Sequence, residues 1–317
     1  MAKSSRVHFS PRAWEQMRPK SVDPARGMIR RVSPSKQTHA HVENMNLLKH
    51  HAADSVATVA PSSVRAVCSR WRTTAEGFCT TGTYSQWRRS GTREFPYQLS
   101  LQKNAEHWCG AVILNEDWAL TAAQCVEDSE DTYEVLAGTN TLSEGGTRHT
   151  VTFISSHEGY DASDSWVNDI AVLKVSPAFP IDGVTVAPIQ LPEKDEEVPD
   201  NANVTAIGWG KHWYFGQIQD GLRKVDIHIW QQWLCESVWH DINYNVHATQ
   251  ICAIRFKNNK HYDTCTGDEG GPLLYEGKVV GLVSWGHFCG EPPYPSVYTR
   301  VSSYLDWITE KTSGSRV

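Results

Sequence analysis

Three short segments hold the side chains that could do acid, base or nucleophilic work: TAAQC (121–125), NDIAVL (168–173) and DTCTGDEGG (263–271). Hydrolysis of a peptide through a covalent intermediate needs a nucleophile, an imidazole to take its proton and return it to the leaving amine, and a buried carboxylate to orient that imidazole. The segments supply carboxylates, at Asp169, Asp263, Asp268 and Glu269, but neither imidazole nor serine. Gln124 has no pKa near neutrality with which to shuttle a proton. Attack by Glu269 would leave an acyl adduct that is an anhydride, unsuited to controlled peptide hydrolysis. The eight cysteines (68, 79, 109, 125, 235, 252, 265, 289) contain no close C-x-x-C pair, so no zinc site is expected. Gly267 to Gly271 precedes an apolar run instead of following a strand, which is the wrong order for a phosphate-binding loop. No metal and no cofactor are expected.

The elements that must position these residues read as strands. Short apolar runs broken by turn residues occur at Tyr97 to Leu101, Ala111 to Leu114, Tyr133 to Leu136, Ile170 to Val175, Val204 to Ile207, Val225 to Ile229 and Val279 to Val283. Val225, Ile227 and Ile229 alternate with polar neighbours at period two, whereas helical spacing is clear only at Val301, Tyr304, Leu305 and Ile308. The expectation is an all-β chain with a terminal helix.

The blocks FPYQLSL (95–101), WCGAVILNEDWALTAAQC (108–125), NDIAVLKV (168–175), IGWG (207–210), DTCTGDEGGPLLYEGKVVGLVSWG (263–286) and PSVYTRVSSYLDWI (295–308) together resemble the trypsin-like, chymotrypsin-fold serine proteases. The resemblance covers roughly Glu94 to Lys311. It implies two packed six-stranded antiparallel β-barrels, a cleft between them and a C-terminal helix. It also implies three bridges, Cys109 with Cys125, Cys235 with Cys252 and Cys265 with Cys289. Cys68 and Cys79 have no counterpart and are left to pair with each other, to stay free or to pair between molecules.

In that pattern Gln124 stands where the family has its histidine and Glu269 where it has its serine, so only Asp169 survives from the triad. In an unrelated serine protease, loss of the serine or the histidine alone costs on the order of a million-fold in turnover. His157 matches a structural position of the family, His107 and His287 flank structural cysteines, and none lies on the Gln124 loop. The resemblance places Gly267 at the oxyanion hole. It places Asp263 at the floor of a pocket that receives Arg or Lys, with walls at Ser284, Trp285, Gly286 and Ser296. Ser296 replaces a family glycine, and His287 and Phe288 sit where small residues are usual, so an open basic pocket and an occluded one are weighed about equally. Asp268 is the zymogen-type aspartate that pairs with a new amino terminus in activated members. Counting back from Pro96 reaches YSQW at Tyr84, with neither a basic cut site nor an Ile-Val-Gly-Gly start. Glu269 has one structural alternative, in which its carboxylate accepts the N–H groups around Gly267 and imitates the oxyanion.

Charge and length bound the remaining readings. The chain has 317 residues and net charge −6, too acidic for a general nucleic-acid binder, and no apolar run long enough to span a bilayer. Residues 1–67 carry 11 Lys/Arg against 4 Asp/Glu, leaving 19 against 32 in the remainder. That segment lacks hydrophobic periodicity and reads as a disordered basic region, followed by a linker over 68–93 and the protease-like domain over 94–317. An even cysteine count suggests an oxidising, extracellular compartment, yet MAKSSRVHFSPRAWEQ has no apolar secretory core. A misplaced start, unconventional export and an organellar leader all remain open. Asn203-Val204-Thr205 is an N-glycosylation motif. Aromatic residues in KHWYFGQ (211–217) and WQQWLCESVW (230–239) suit either packing or a protein-binding surface. The leading functional expectation is a non-catalytic protease homologue that binds a protease, an inhibitor or another component of an extracellular proteolytic or immune cascade. The alternative is a trypsin-like endopeptidase with basic preference. Oligomeric state is left open.

Overall fold

The computed structural model describes residues 87–91, 93–128, 132–258 and 260–313. The chain divides into two units, 1–74 and 75–317. The first unit lies outside the described residues, as do Cys68, Cys79 and Tyr84 with the pairing and the chain start considered for them. All described strands and helices belong to the second unit.

The strands in chain order are β1 (Arg88–Arg89), β2 (Gln98–Lys103), β3 (Glu106–Ile113), β4 (Trp118–Thr121), β5 (Tyr133–Ala137), β6 (Thr147–Ser156), β7 (Ala171–Ser176), β8 (Asn203–Gly208), β9 (Arg223–Ile229), β10 (Gln250–Lys257), β11 (Lys260–Tyr262), β12 (Pro272–Tyr275), β13 (Lys278–Trp285) and β14 (Ser296–Arg300). Strands β2-β3-β4-β7-β6-β5 close into one antiparallel barrel. Strands β9-β8-β12-β13-β14-β10 close into a second through the pairing of Ala253 with Ile229 and Ile254 with His228. The first barrel is filled by Leu99, Leu101, Ala111, Ile113, Val135 and Leu173, the second by Val204, Val225, Ile227, Ile251, Leu273 and Tyr298. On β9 the period-two expectation holds: Val225, Ile227 and Ile229 are buried while Lys224, Asp226 and His228 are only partly so.

A third cluster joins the barrels. Val112, Leu120, Ile170 and Val172 from the first meet Ile207, Leu274, Val279 and Leu282 from the second, and Val301, Tyr304 and Ile308 from the terminal segment cover them. Each such aliphatic side chain contributes ~1.5–3 kcal/mol on burial, so apolar packing holds the two barrels together. The terminal spacing forms a 3₁₀ turn over Val301–Tyr304 and then a helix, α2 (Leu305–Ser313).

Two features depart from the expectation. Strand β1 pairs with β9 and the half-buried Trp87 packs against the second barrel's core, so the fold takes in residues ahead of Glu94. A second helix, α1 (Gln232–His240), occupies the WQQWLCESVW segment. Its buried face carries Cys235 and Trp239, flanked by Val238 and Ile242. That 235, 238, 239, 242 spacing was a helical signal hidden among tryptophans. The bridges Cys109–Cys125, Cys235–Cys252 and Cys265–Cys289 form as the resemblance implied. They fit an oxidising compartment. Among the described residues no helix is long and apolar enough to cross a membrane.

Candidate active-site cleft

Asp169 sits at the barrel interface with no exposed surface, just ahead of β7. Its Oδ1 accepts the Gln124 backbone N–H at 2.9 Å, and its Oδ2 accepts Gln124 Nε2 at 2.6 Å and the Ser284 hydroxyl at 2.6 Å. Gln124 Nε2 also donates to the Ser284 carbonyl at 2.7 Å, and the Thr299 hydroxyl donates to the Asp169 carbonyl at 2.7 Å. The amide therefore spends its donor capacity on bridging the two barrels, from the turn after β4 to the end of β13. Burial pushes the Asp169 carboxyl up to about 6, against the lowering effect of the Ser284 and Gln124 bonds. Sequence alone assigns Ser284 to the pocket wall; in the fold it is also a donor to this carboxylate.

Glu269 occupies the turn between Cys265 and β12. Its Oε2 accepts the Gly267 N–H at 2.6 Å. Burial raises its carboxyl to about 7; its own backbone N–H and that of Gly267 oppose the rise, while the nearby Asp169 charge adds to it. The carboxylate thus lies in the backbone cradle assigned to the oxyanion, while one side of the residue still borders the cleft. The turn has little freedom to place it elsewhere. Gly270 has φ +74°, and a Cβ there would lie 2.2 Å from Thr121 Oγ1. The Gly110 N–H donates to the Glu269 carbonyl at 2.7 Å, where the two barrels approach so closely that a Cβ on Gly110 would meet Gly271 Cα at 2.6 Å.

Asp268 points the opposite way, into protein. Its Oδ1 accepts the Gly210 N–H at 2.8 Å and its Oδ2 the Cys265 N–H at 3.0 Å. Among the described residues no cation forms an ion pair with it. Burial pushes it up to about 8, aided by the negative charges of Glu269 and Asp263. The IGWG glycines make this burial feasible, because a Cβ on Gly210 would lie 2.4 Å from the Asp268 carboxyl carbon.

None of His107, His157 and His287 is bonded to Asp169. His107 receives the Ser100 hydroxyl on Nδ1 at 2.8 Å and meets the Gly267 carbonyl through Nε2 at 2.9 Å. A carbonyl only accepts, so Nε2 carries a proton in this arrangement. Burial lowers the pKa of the ring to about 4. His157 packs against Tyr304 and Trp307, and His287 against Phe288 and Tyr294.

Beside Glu269 lies a cavity of about 70 Å³ lined by Tyr214, Thr266, Ser284, Trp285, Phe288 and Ser296, with Gly286 and the Cys265–Cys289 bridge completing its walls. Asp263 does not line it. Its carboxylate is fully buried, with Oδ1 accepting the Thr264 N–H at 2.8 Å and Oδ2 the Ser296 N–H at 3.1 Å. Burial pushes it up to about 7 against the hydrogen bonds of Ser296 and Thr264. At the cavity mouth Tyr214 stacks edge-on against Phe288 at 4.9 Å and against Phe215 at 5.0 Å. Phe215 is 73% exposed, which distinguishes this group from Trp209 and Trp239 in the core. Trp233, on the outer face of α1, is 63% exposed. Asn203 opens β8 with an exposed side chain.

Comparison with known proteins agrees with this geometry. The family model described as Trypsin matches residues 86–308. Trypsin of Phaedon cochleariae is 36% identical over 225 residues, covering 69% of this chain and 84% of its own length. Hypodermin-B of Hypoderma lineatum is 37% identical over 221 residues, 68% and 82% respectively. Trypsin delta of Drosophila melanogaster is 35% identical over 217 residues, again 68% and 82%.

Proposed function

The chain belongs to the trypsin family, and from that premise we propose that it is a non-catalytic member whose cleft binds protein instead of cutting it. One observation carries the reading: both replaced triad positions are engaged in holding the site together. Gln124 bridges Asp169 and the Ser284 carbonyl, and Glu269 fills the Gly267 N–H cradle where a developing oxyanion would be stabilised. A catalytic cycle would need a base at the first position and a hydroxyl at the second, with that cradle empty. Exposed Tyr214, Phe215 and Phe288 beside the cleft supply the aromatic area typical of protein-recognition hot spots. The disulfides and the family fit secretion, and the role we assign is that of a regulator or cofactor acting with a protease, an inhibitor or a cascade component.

The test is amidolysis of chromogenic peptides ending in Arg and in Ala by the full-length chain, beside the double reversion Gln124→His plus Glu269→Ser. The native chain is expected to turn over on the order of a million-fold below an active serine protease, which is to say silently. Clear turnover by the native chain, abolished by Asp169→Ala, would establish the endopeptidase alternative.

A further inference from the structure

Strand β1 consists of two arginines, and the strand it pairs with, β9, also opens on two cations. The register sets Arg88 opposite Lys224 and Arg89 opposite Arg223. Directly opposite residues point to the same face of a sheet with Cβ atoms about 5 Å apart, a separation at which like charges repel. Successive residues alternate between faces. One face therefore carries the pair Arg88 and Lys224, and the other the pair Arg89 and Arg223.

The two pairs differ in their surroundings. On the first face each cation has its own carboxylate, Asp226 for Arg88 and Glu94 for Lys224. On the second, among the described residues, neither guanidinium has an ion pair or a side-chain hydrogen bond, and Arg223 Nε is buried without a partner. Burial lowers the Arg223 pKa and the Arg89 charge lowers it further, with no carboxylate acting against them. His212 is lowered by burial and then by the Arg223 charge, again with no acid opposing. Acids are not scarce, since the chain beyond residue 67 has 32 Asp/Glu against 19 Lys/Arg. Solvation accounts for the exposed Arg89, but water does not reach Arg223 Nε. A donor left unsatisfied in that way costs free energy that an anion would recover.

We propose that Arg89 and Arg223 form a site for a tetrahedral oxyanion of the phosphate-monoester kind, gripped between two guanidinium forks. A carboxylate has oxygens for one fork, whereas a phosphate has oxygens for both and a charge of about −2 at neutral pH, which matches the pair. The same chemistry arrives as inorganic phosphate or as a phosphate ester on a polypeptide. The site uses none of the residues of the cleft, so it stands apart from the non-catalytic reading.

Calorimetric titration of the full-length chain at constant ionic strength and neutral pH tests it, with inorganic phosphate, a phosphoserine peptide and the unphosphorylated peptide as blank. Native protein is expected to bind phosphate saturably. Arg89→Gln and Arg223→Gln each remove one fork and should weaken binding at least about tenfold. Arg88→Gln, on the neutralised face, should leave it within about twofold. Tighter binding of the phosphopeptide than of inorganic phosphate identifies the ester as the ligand, and the reverse order identifies the free anion; either meets the proposal. No saturable binding of either probe overturns it. So does binding that survives in both fork variants, as a site elsewhere on this chain would give, or an equal loss in Arg88→Gln. Thermal melts supply a second readout. In phosphate-free buffer Arg89→Gln is relieved of repulsion and should melt no lower than native, and phosphate should raise the native Tm but not that of the variant. An Arg89→Gln protein that melts lower, or that responds to phosphate as native does, overturns the proposal.

Discussion

Truncating Gln124 to alanine removes one of the links between the barrels at Asp169 and leaves those from the Ser284 and Thr299 hydroxyls. The variant loses the 2.6 Å bond from Nε2 to the carboxylate and the 2.7 Å bond to the Ser284 carbonyl, while the backbone N–H of position 124 still reaches Oδ1. A hydrogen bond to a charged group is worth ~1.5–3 kcal/mol and one to a carbonyl about 1 kcal/mol. Gln124 is only half-buried, so water entering the vacated space restores part of the loss. The expected net cost at pH 8 is about 2–3 kcal/mol, or roughly 4–12 °C in Tm for a folded unit of this size. Denaturant titration with a tryptophan-fluorescence readout measures it. Gln124→Glu sharpens the test, because it keeps the shape but sets a second carboxylate against Asp169. Its cost should exceed that of alanine at pH 8 and fall at pH 5, where the pair can share a proton. An alanine variant within ~0.5 kcal/mol of native, or a glutamate variant with the same cost at both pH values, would refute the bridging role.

The buried acids give two further expected outcomes. Asp169, Asp263, Asp268 and Glu269 are raised to about 6, 7, 8 and 7. The stability they contribute is complete below the ordinary carboxylate range and is lost as pH rises through 6 to 8. His107, lowered to about 4, acts in the opposite sense between about 6.5 and 4, and Glu158, held near 2 by Lys311, loses its contribution only in stronger acid. Since a proton held only in the folded state is worth about 1.4 kcal/mol per pH unit, calorimetry should find Tm at pH 6 at least ~5 °C above that at pH 8; a Tm that climbs over this interval would contradict the burial argument. Glu269→Gln keeps an acceptor for the Gly267 N–H but removes the charge facing Asp169 and Asp268. The variant should flatten the pH 6 to 8 slope by about one proton's worth and match native stability at pH 5, and an unchanged slope would place the carboxylate outside that cluster.

The division between what could be read and what could not tracks the range of the interactions. Period-two alternation at Val225, Ile227 and Ile229 reports which face of a strand is buried, because burial acts on each residue through its immediate surroundings. Helix α1 was legible in principle, but the tryptophans on both of its faces blurred the spacing of Cys235, Val238 and Trp239. The blocks that resemble the family located the three bridges and pointed to positions 124 and 269 as the ones to examine, since residue type and order survive in the chain itself.

By itself, then, the sequence determined the two-barrel family and that positions 124 and 269 carry an amide and a carboxylate. What each replacement does was decided by tertiary structure alone. Gln124 meets Asp169 across 45 residues and the Ser284 carbonyl across 160, and the Ser296 N–H donates to Asp263 across 33. Such partners are chosen by how two closed barrels dock and by how tightly their glycine turns approach. Glu269 illustrates the limit most plainly: its hydrogen bond spans only two residues, yet it forms because Gly270 and Gly110 let the opposite barrel fix the turn that aims the carboxylate inward.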